Sequence, residues 1–309
     1  MGKIIVVGSI NMDIVIKVPY IPAVGETILA DEVSFFHGGK GANQATAAAR
    51  LGGNVHMIGR VGNDEYGKSS VDSLRNNNVK TDRIQFDDTF PTGTAYINVS
   101  RNGENNIIVN QEANGNLSVQ DIMNNSDLFE AGDICLIQLE IPIDVAIYVI
   151  ELCRNRGIKL ILNPAPANPV INEYLNDVYA VIPNEIELAA LVNSHISCDN
   201  DLLANSKKLL EKGAVNVITT IGERGSIFVN KDTSFLTKAV PVQKKDTTAA
   251  GDTFIGAFCV AIYEGKTIKE AINFATHASA LTITKEGAQE SLPTRAEVED
   301  FIAKMKIIK

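Results

Sequence analysis

The chain has 309 residues, 45% of them hydrophobic, and a formal net charge of -9, so it can bury a sizeable core as two average domains or as one large α/β domain with an insertion. A sequence pI of about 5.1 and the lack of any Lys/Arg run argue against nucleic acid or an anionic membrane as partner, since both select basic patches. Cys135, Cys153, Cys198 and Cys259 show no CxxC spacing and read as free thiols in a reducing compartment.

The first segment, "MGKIIVVG", reads as a buried strand, without the basic region and long apolar segment of a secretory signal. Val6 stands where an N-myristoylation motif requires Ser or Thr. No apolar stretch approaches the roughly 20 residues that span a bilayer, so a cytoplasmic protein is expected. Short β-branched runs then recur, each followed by a helical pattern: "KIIVVG" (3–8), "VHMIGRVG" (55–62), "DICLIQLE" (133–140), "KLILNPA" (159–165), "YAVIPN" (179–184) and "NVITTIG" (216–222). Successive apolar positions mark strands buried on both faces. The fold class predicted is α/β, a doubly wound, mostly parallel sheet flanked by helices, with ligands beyond the C-terminal ends of its strands.

Residues 14–36 and 91–110 break this rhythm, alternating apolar and polar side chains around Gly, Pro and Asn turn signals. They read as antiparallel strands forming a small β-sheet lid, leaving 1–13, 37–90 and 111–309 to the α/β domain. Between them lies "FFHGGKGANQATAAARLGG" (35–53), whose glycines and Lys40 suggest a phosphate cradle opening a helix. A P-loop requires Ser or Thr directly after its lysine; Gly41 stands there instead. The four histidines, His37, His56, His195 and His277, show no metal-ligand spacing.

Near the C-terminus, "DTTAAGDTFIGAFCVAIYEG" (246–265) sets small residues before an apolar helix beginning near Phe254. Open backbone N–H groups and the positive end of a helix dipole favour phosphate there, although a tight turn with Asp252 as N-cap has the same pattern. A carboxylate beside a phosphate is costly unless it has work to do. Accepting a proton from an attacking hydroxyl is such work, which makes Asp252 a candidate general base.

"DTTAAGD" and "GGKGANQA" resemble the C-terminal and N-terminal signatures of the ribokinase, or PfkB, family of sugar and nucleoside kinases. The resemblance runs in order from "GSINMD" (8–13) to "GAQESLP" (287–293). It implies a ribokinase-like fold and ATP-dependent phosphoryl transfer, and it is strongest to members acting on the 5-hydroxyl of ribose. Carried over, the sugar site comprises Asn11, Met12 and Asp13 in the first βα turn, Gly39, Lys40, Gly41, Ala42 and Asn43, Glu140, and Asp252 as base. The anion hole is Ala249, Ala250, Gly251 and Asp252. Nucleotide contacts fall on Asn184, Thr220, Ile221, Gly222, Glu223, Arg224, Gly225, Gly251, Asp252 and Thr276.

The resemblance further implies Mg2+ organised through water by Glu187, and a monovalent cation, usually K+, near Asp246, Thr248, Thr282, Lys285, Gly287 and Ser291. It also implies a homodimer formed through the lid. "PNEIE" puts Asn184 and Glu187 on one side of a helix start, where an acid also simply suits the dipole. A sibling kinase for deoxyribose, another sugar or a nucleoside, and a non-catalytic sugar sensor, are the alternatives. Unused buried polar groups would penalise a deoxy substrate, and a sensor needs no general base.

Overall fold

In the computed structural model, which describes residues 2–307, the alternation resolves into strands and helices in close succession. In chain order they are β1 (Ile4–Val7), β2 (Asn11–Val18), β3 (Glu32–Gly38), α1 (Lys40–Arg50), β4 (Val55–Gly62), α2 (Glu65–Asn76), β5 (Lys80–Asp87), β6 (Gly93–Ser100), β7 (Asn105–Asn110), α3 (Val119–Asn124), β8 (Ile134–Ile137) and α4 (Ile143–Arg156). There follow β9 (Lys159–Leu162), β10 (Ala180–Val181), α5 (Glu185–Leu191), α6 (Asp199–Glu211), β11 (Asn216–Thr220), β12 (Ser226–Asn230), β13 (Ser234–Thr237), α7 (Ala250–Tyr263), α8 (Ile268–Thr282) and α9 (Arg295–Ile307). Among the described residues no helix is long and apolar enough to cross a membrane.

The large sheet has the order β13-β12-β11-β10-β9-β8-β1-β4-β5, parallel from β11 through β5, with antiparallel β12 and β13 at one edge. Burial on both faces explains the continuous apolar runs. In β1, Ile4 and Val6 join the core beneath α1, α7 and α8, whereas Ile5 and Val7 join the core beneath α4 and α6. The chain winds outward in both directions from β1, so the crevice between β1 and β8 is a topological switch point, where such sheets bind ligands.

Two helices meet over one face because their contact is made of small residues. A Cβ on Gly256 would lie 2.8 Å from the Ala47 Cβ and 2.9 Å from the Gln44 carbonyl oxygen. Only glycine lets α7 pack this closely on α1.

The smaller sheet has the order β3-β2-β6-β7. Two of its pairings, β2–β3 and β6–β7, are antiparallel as expected, but the central β2–β6 pair is parallel, from Asn11↔Gly93 to Val18↔Ser100. Both strands leave the large sheet in the same direction, one shortly after β1 and the other after β5. The sheet also begins earlier than the sequence pattern suggested: β2 starts at Asn11 rather than residue 14, and β3 runs on to Gly38. Asn11 and Asp13 therefore lie on a lid strand, not in a βα turn, because the strand continues through buried polar positions that alternation alone does not mark.

Candidate active site

Side chains alternate along β2, so Asn11 and Asp13 share one face and Met12 lies on the other. Met12 can therefore offer an incoming sugar backbone only. Asn11 is fixed by a residue that the sequence reading passed over: Asn114 Nδ2 donates to Asn11 Oδ1 at 2.7 Å and to the Ile10 carbonyl at 3.1 Å, while Asn114 Oδ1 accepts from Ile10 N–H at 2.8 Å. With its oxygen occupied, Asn11 has its amide hydrogens left to donate.

Asp13 is 8% exposed, and its carboxylate has no hydrogen-bond partner among the described residues. Burial raises its pKa to about 7, reinforced by the negative charges of Glu140 and Asp252 and opposed by Lys40. Lys40 is held above the usual lysine range: burial alone would lower it, but Asp252, Glu140, Glu187 and Asp13 outweigh that. One cation thus stands among four carboxylates drawn from separate parts of the chain.

Glu140 is anchored across the switch point. Its Oε2 accepts from Ser9 Oγ at 2.5 Å, just past β1, and from the Lys40 N–H at 3.2 Å. Ser9 then receives the next two N–H groups of α1, Gly41 on its Oγ at 3.4 Å and Ala42 on its carbonyl at 2.9 Å. Asn43 N–H closes on the Gly39 carbonyl at 2.9 Å. Protein atoms thus occupy the first N–H groups of α1. The glycines serve that packing: a Cβ on Gly41 would come within 2.6 Å of Gly8 C and Ser9 N. They bring the start of α1 against the turn after β1.

The beginning of α7 contrasts with this. The helix starts at Ala250, its N-cap Ala249 is left-handed at φ 58°, and Asp252 sits in the first turn rather than at the N-cap. Ala250 N–H reaches the Thr247 carbonyl at 3.2 Å, but the N–H groups of Ala249, Gly251 and Asp252 have no partner among the described residues. Nothing lies within 4 Å of the position a Gly251 Cβ would take. Free N–H groups on a helix N-terminus fit a phosphate. The Asp252 carboxylate accepts from Asn43 Nδ2 at 3.1 Å and Gln44 Nε2 at 2.9 Å, joining the two helix beginnings at one side chain. The buried Asn43 Oδ1 has no partner among the described residues.

The remaining residues fall in two groups. Asn184 caps α5 and bonds reciprocally with Glu187: Glu187 N–H donates to Asn184 Oδ1 and Asn184 N–H to Glu187 Oε2, both at 2.8 Å. Burial raises the Glu187 pKa, and Lys40 and Asp252 both act on it, so it faces the same space. Asn184 bridges Thr220 at the end of β11, beside the turn Gly222–Arg224. Ile221 is buried, Glu223 pairs with Lys244 and Arg224 with Glu185 and Asp199, which leaves mostly backbone to a ligand. Thr276, on α8, commits its hydroxyl to the Ile272 carbonyl.

In the other group, Asp246 accepts from Thr248 N–H at 2.8 Å and from Gly287 N–H at 3.0 Å, tying these segments together. Thr282 Oγ1 donates to Thr253 Oγ1 at 2.9 Å, Lys285 pairs with Glu297, and Ser291 Oγ donates to the Ala288 carbonyl. No group of three acidic, His or Cys side chains could hold a metal ion among the described residues, so any cation here would rest chiefly on backbone oxygens.

The sequence reading missed Ser9, Gln44, Asn114, Gln138 and Asn163. The available signal was a lone polar residue inside an apolar run, as Gln138 in "LIQLE" or Gln44 before "ATAAA".

Compared with known proteins, residues 1–295 match the family described as pfkB family carbohydrate kinase. The chain is 37% identical to ribokinase of Haemophilus influenzae, over 96% of this chain and 97% of that protein. It is 38% identical to ribokinase of Bacillus subtilis, over 98% and 100%. Among solved structures, Arabidopsis thaliana ribokinase complexed with ribose and ATP superposes with a TM-score of 0.88 at 33% identity, covering 97% of this chain and 99% of that one.

Proposed function

The chain belongs to the pfkB family of carbohydrate kinases, and on that premise we infer that it is a ribose kinase, using ATP to convert D-ribose to D-ribose 5-phosphate. Relatives named ribokinase at 37% and 38% identity over nearly their whole length support this substrate. The observation that carries the chemistry is the position of Asp252, held by Asn43 and Gln44 beside the sugar-facing polar groups, in the first turn of a helix whose N–H groups are free among the described residues.

The proposed course follows from those groups. Ribose hydroxyls donate to Asp13 and Glu140 and accept from the Asn11 amide, and Lys40 offsets the negative charge. These directional bonds discriminate among polyols. Asp252 takes the proton of the 5-hydroxyl as that oxygen attacks the γ-phosphorus; the bond to the β-phosphate oxygen breaks and ADP leaves. The backbone N–H groups of Ala249, Gly251 and Asp252 stabilise the transferring phosphoryl group. Asn184, the Thr220–Gly225 segment and Thr276 are the proposed nucleotide side.

Glu187 uses one carboxylate oxygen in the capping box, which leaves the other to hold a water of a Mg2+ ion; the ion would neutralise phosphate charge. Segments 246–248 and 282–291 are the proposed monovalent cation site, K+ by expectation, and equal rates in potassium, sodium and Tris buffers would remove it. The lid's outer face supports a homodimer. Phe35, Ile14, Tyr96 and Ile108 form one cross-strand row, in which Phe35 is 54% and Ile108 64% exposed, and an apolar face of this kind calls for cover.

A coupled assay of ADP release over ribose, 2-deoxyribose, fructose and adenosine tests the reading. Ribose is expected to give the highest kcat/KM. Equal turnover of 2-deoxyribose would overturn the hydroxyl-reading role of Asp13 and Glu140, and no ADP release from any acceptor would mark a sensor instead.

A further inference from the structure

The buried amides behind Asp252 form a chain whose directions are fixed. Gln138, fully buried just past β8, donates from Nε2 to Gln44 Oε1 at 2.6 Å. Gln44 is itself fully buried, and its Nε2 donates to Asn163 Oδ1 at 3.1 Å and to Asp252 Oδ1 at 2.9 Å. Asn163 Nδ2 then donates to the Ile182 carbonyl at 3.0 Å. Both hydrogens of the Gln44 amide and its oxygen are therefore occupied, by groups from the ends of β8 and β9 and from α7. A carboxylate accepts only, so the nitrogen must face Asp252. Flipping the amide would set its oxygen against Asp252 and its nitrogen against the Gln138 nitrogen, two repulsive contacts at once.

We propose that Gln44 is a positioning residue for the general base, holding the Asp252 carboxylate in the rotamer that meets the sugar hydroxyl, with Gln138 and Asn163 fixing the direction of its amide. The proposal rests on the reading of Asp252 as base. Being fully buried, Gln44 is shielded from the sugar and acts only through Asp252. The close approach of α7 to α1 at Gly256, one turn further along α7, sets the distance across which it reaches. The polar atoms at this spot would be costly to bury for packing alone, and Gln138 Oε1 has no partner among the described residues.

The test is a cycle of Gln44→Met, Asp252→Asn and the double variant, read as kcat, ribose KM and thermal midpoint. Gln44→Met keeps the volume and removes the donor. It should lower kcat by about 10- to 100-fold, the worth of a hydrogen bond to a charged group, with ribose KM changed less than about threefold. The double variant should be no slower than Asp252→Asn alone, because removing the base removes what Gln44 positions.

Turnover of Gln44→Met within about twofold of wild type, or a double variant slowed by the product of the single effects, overturns the proposal. Asp252→Asn at wild-type turnover is a separate result: it removes the base assignment and the positioning role with it. Should Gln44→Met not fold, Gln138→Met, one amide further from the base, runs through the same cycle with an expected loss of about 2- to 10-fold.

Discussion

The two helices that begin at the site, α1 and α7, start in the same way and differ in what their first N–H groups do. Each has an N-cap at positive φ, Gly39 at 88° and Ala249 at 58°. Each has glycine as its second residue, Gly41 and Gly251. At α1 the N–H groups of Lys40, Gly41, Ala42 and Asn43 all end on protein oxygens. At α7 those of Ala249, Gly251 and Asp252 are free among the described residues. In the loop with more glycine and a lysine the first helical N–H groups are spent on the protein, and in the loop without lysine those of Gly251 and Asp252 are free among the described residues. Composition marks where backbone comes close; only the partner of each N–H says whether it approaches a ligand or the protein itself.

The largest expected effect falls on the residue the two helices share. Asp252→Asn should cut kcat by roughly 10²–10⁴, the range of general acid–base catalysis, with ribose binding largely retained. Sugar-saturated turnover near wild type would mean that the two helix beginnings meet at a structural acid, and the comparison would lose its catalytic meaning.

Paired alanine substitutions at the two second-position glycines separate packing from chemistry. In Gly41→Ala the new Cβ meets backbone atoms of Gly8 and Ser9 at 2.6 Å, which cannot yield as a side chain could. A loss of about 2–3 kcal/mol in denaturant unfolding is expected, typical of overpacking. In Gly251→Ala the Cβ meets nothing. Stability should hold or rise slightly, since Ala favours a helix by about 1 kcal/mol over Gly. Turnover should fall at least about tenfold as a methyl enters the anion hole, toward the loss of one oxyanion donor. If Gly251→Ala is destabilised and Gly41→Ala is not, the roles of the loops are reversed.

The extent to which these features were legible differs by kind. Parallel strands buried on both faces announce themselves as apolar runs, and "VHMIGRVG" coincides with β4. The alternating lid strands carry no sign of pairing direction, so the parallel β2–β6 contact at the centre of the lid was invisible, as was the two-residue length of β10. Site residues in long motifs could be named from resemblance. The residues that orient them could not: Ser9, Asn114 and Gln138 touch Glu140, Asn11 and Gln44 across 94 to 131 positions of sequence. A polar side chain in an apolar run signals a buried partner without saying which one.

Asp13 extends the contrast to the acids, since Asp252 is held by two amide donors and Asp13 by none. Burial raises the Asp13 pKa to about 7, with Glu140 and Asp252 adding to it and Lys40 opposing. In the unfolded chain it titrates near the ordinary value of about 3.9. Between these values the folded protein keeps a proton that the unfolded chain has released. The stability due to this group is therefore full below about pH 4 and declines as pH rises through about 7. Asp13→Asn should remove that decline. Without ligand the variant should be about 2 kcal/mol more stable than wild type at pH 8, below the full worth of the shift because an unpartnered amide is then buried. Near pH 4 the two should be alike, and ribose KM should rise. Parallel stability–pH curves for the two proteins would show that Asp13 is solvated.

The smallest effect concerns the caps themselves. Ala249 holds a left-handed conformation at φ 58° that costs an L-residue roughly 1–2 kcal/mol and that glycine adopts freely. In Ala249→Gly that cost disappears, while the greater freedom of glycine in the unfolded chain returns roughly 0.4–1 kcal/mol. A net stabilisation of about 0.5 kcal/mol is expected, visible as a small rise in the denaturant midpoint at unchanged m-value. Because the Ala249 N–H is one of the free donors of α7, a looser cap should lower kcat slightly even as the fold gains. A gain in both would mean that the bend at Ala249 is a cost of folding alone, with no part in keeping the donors aligned.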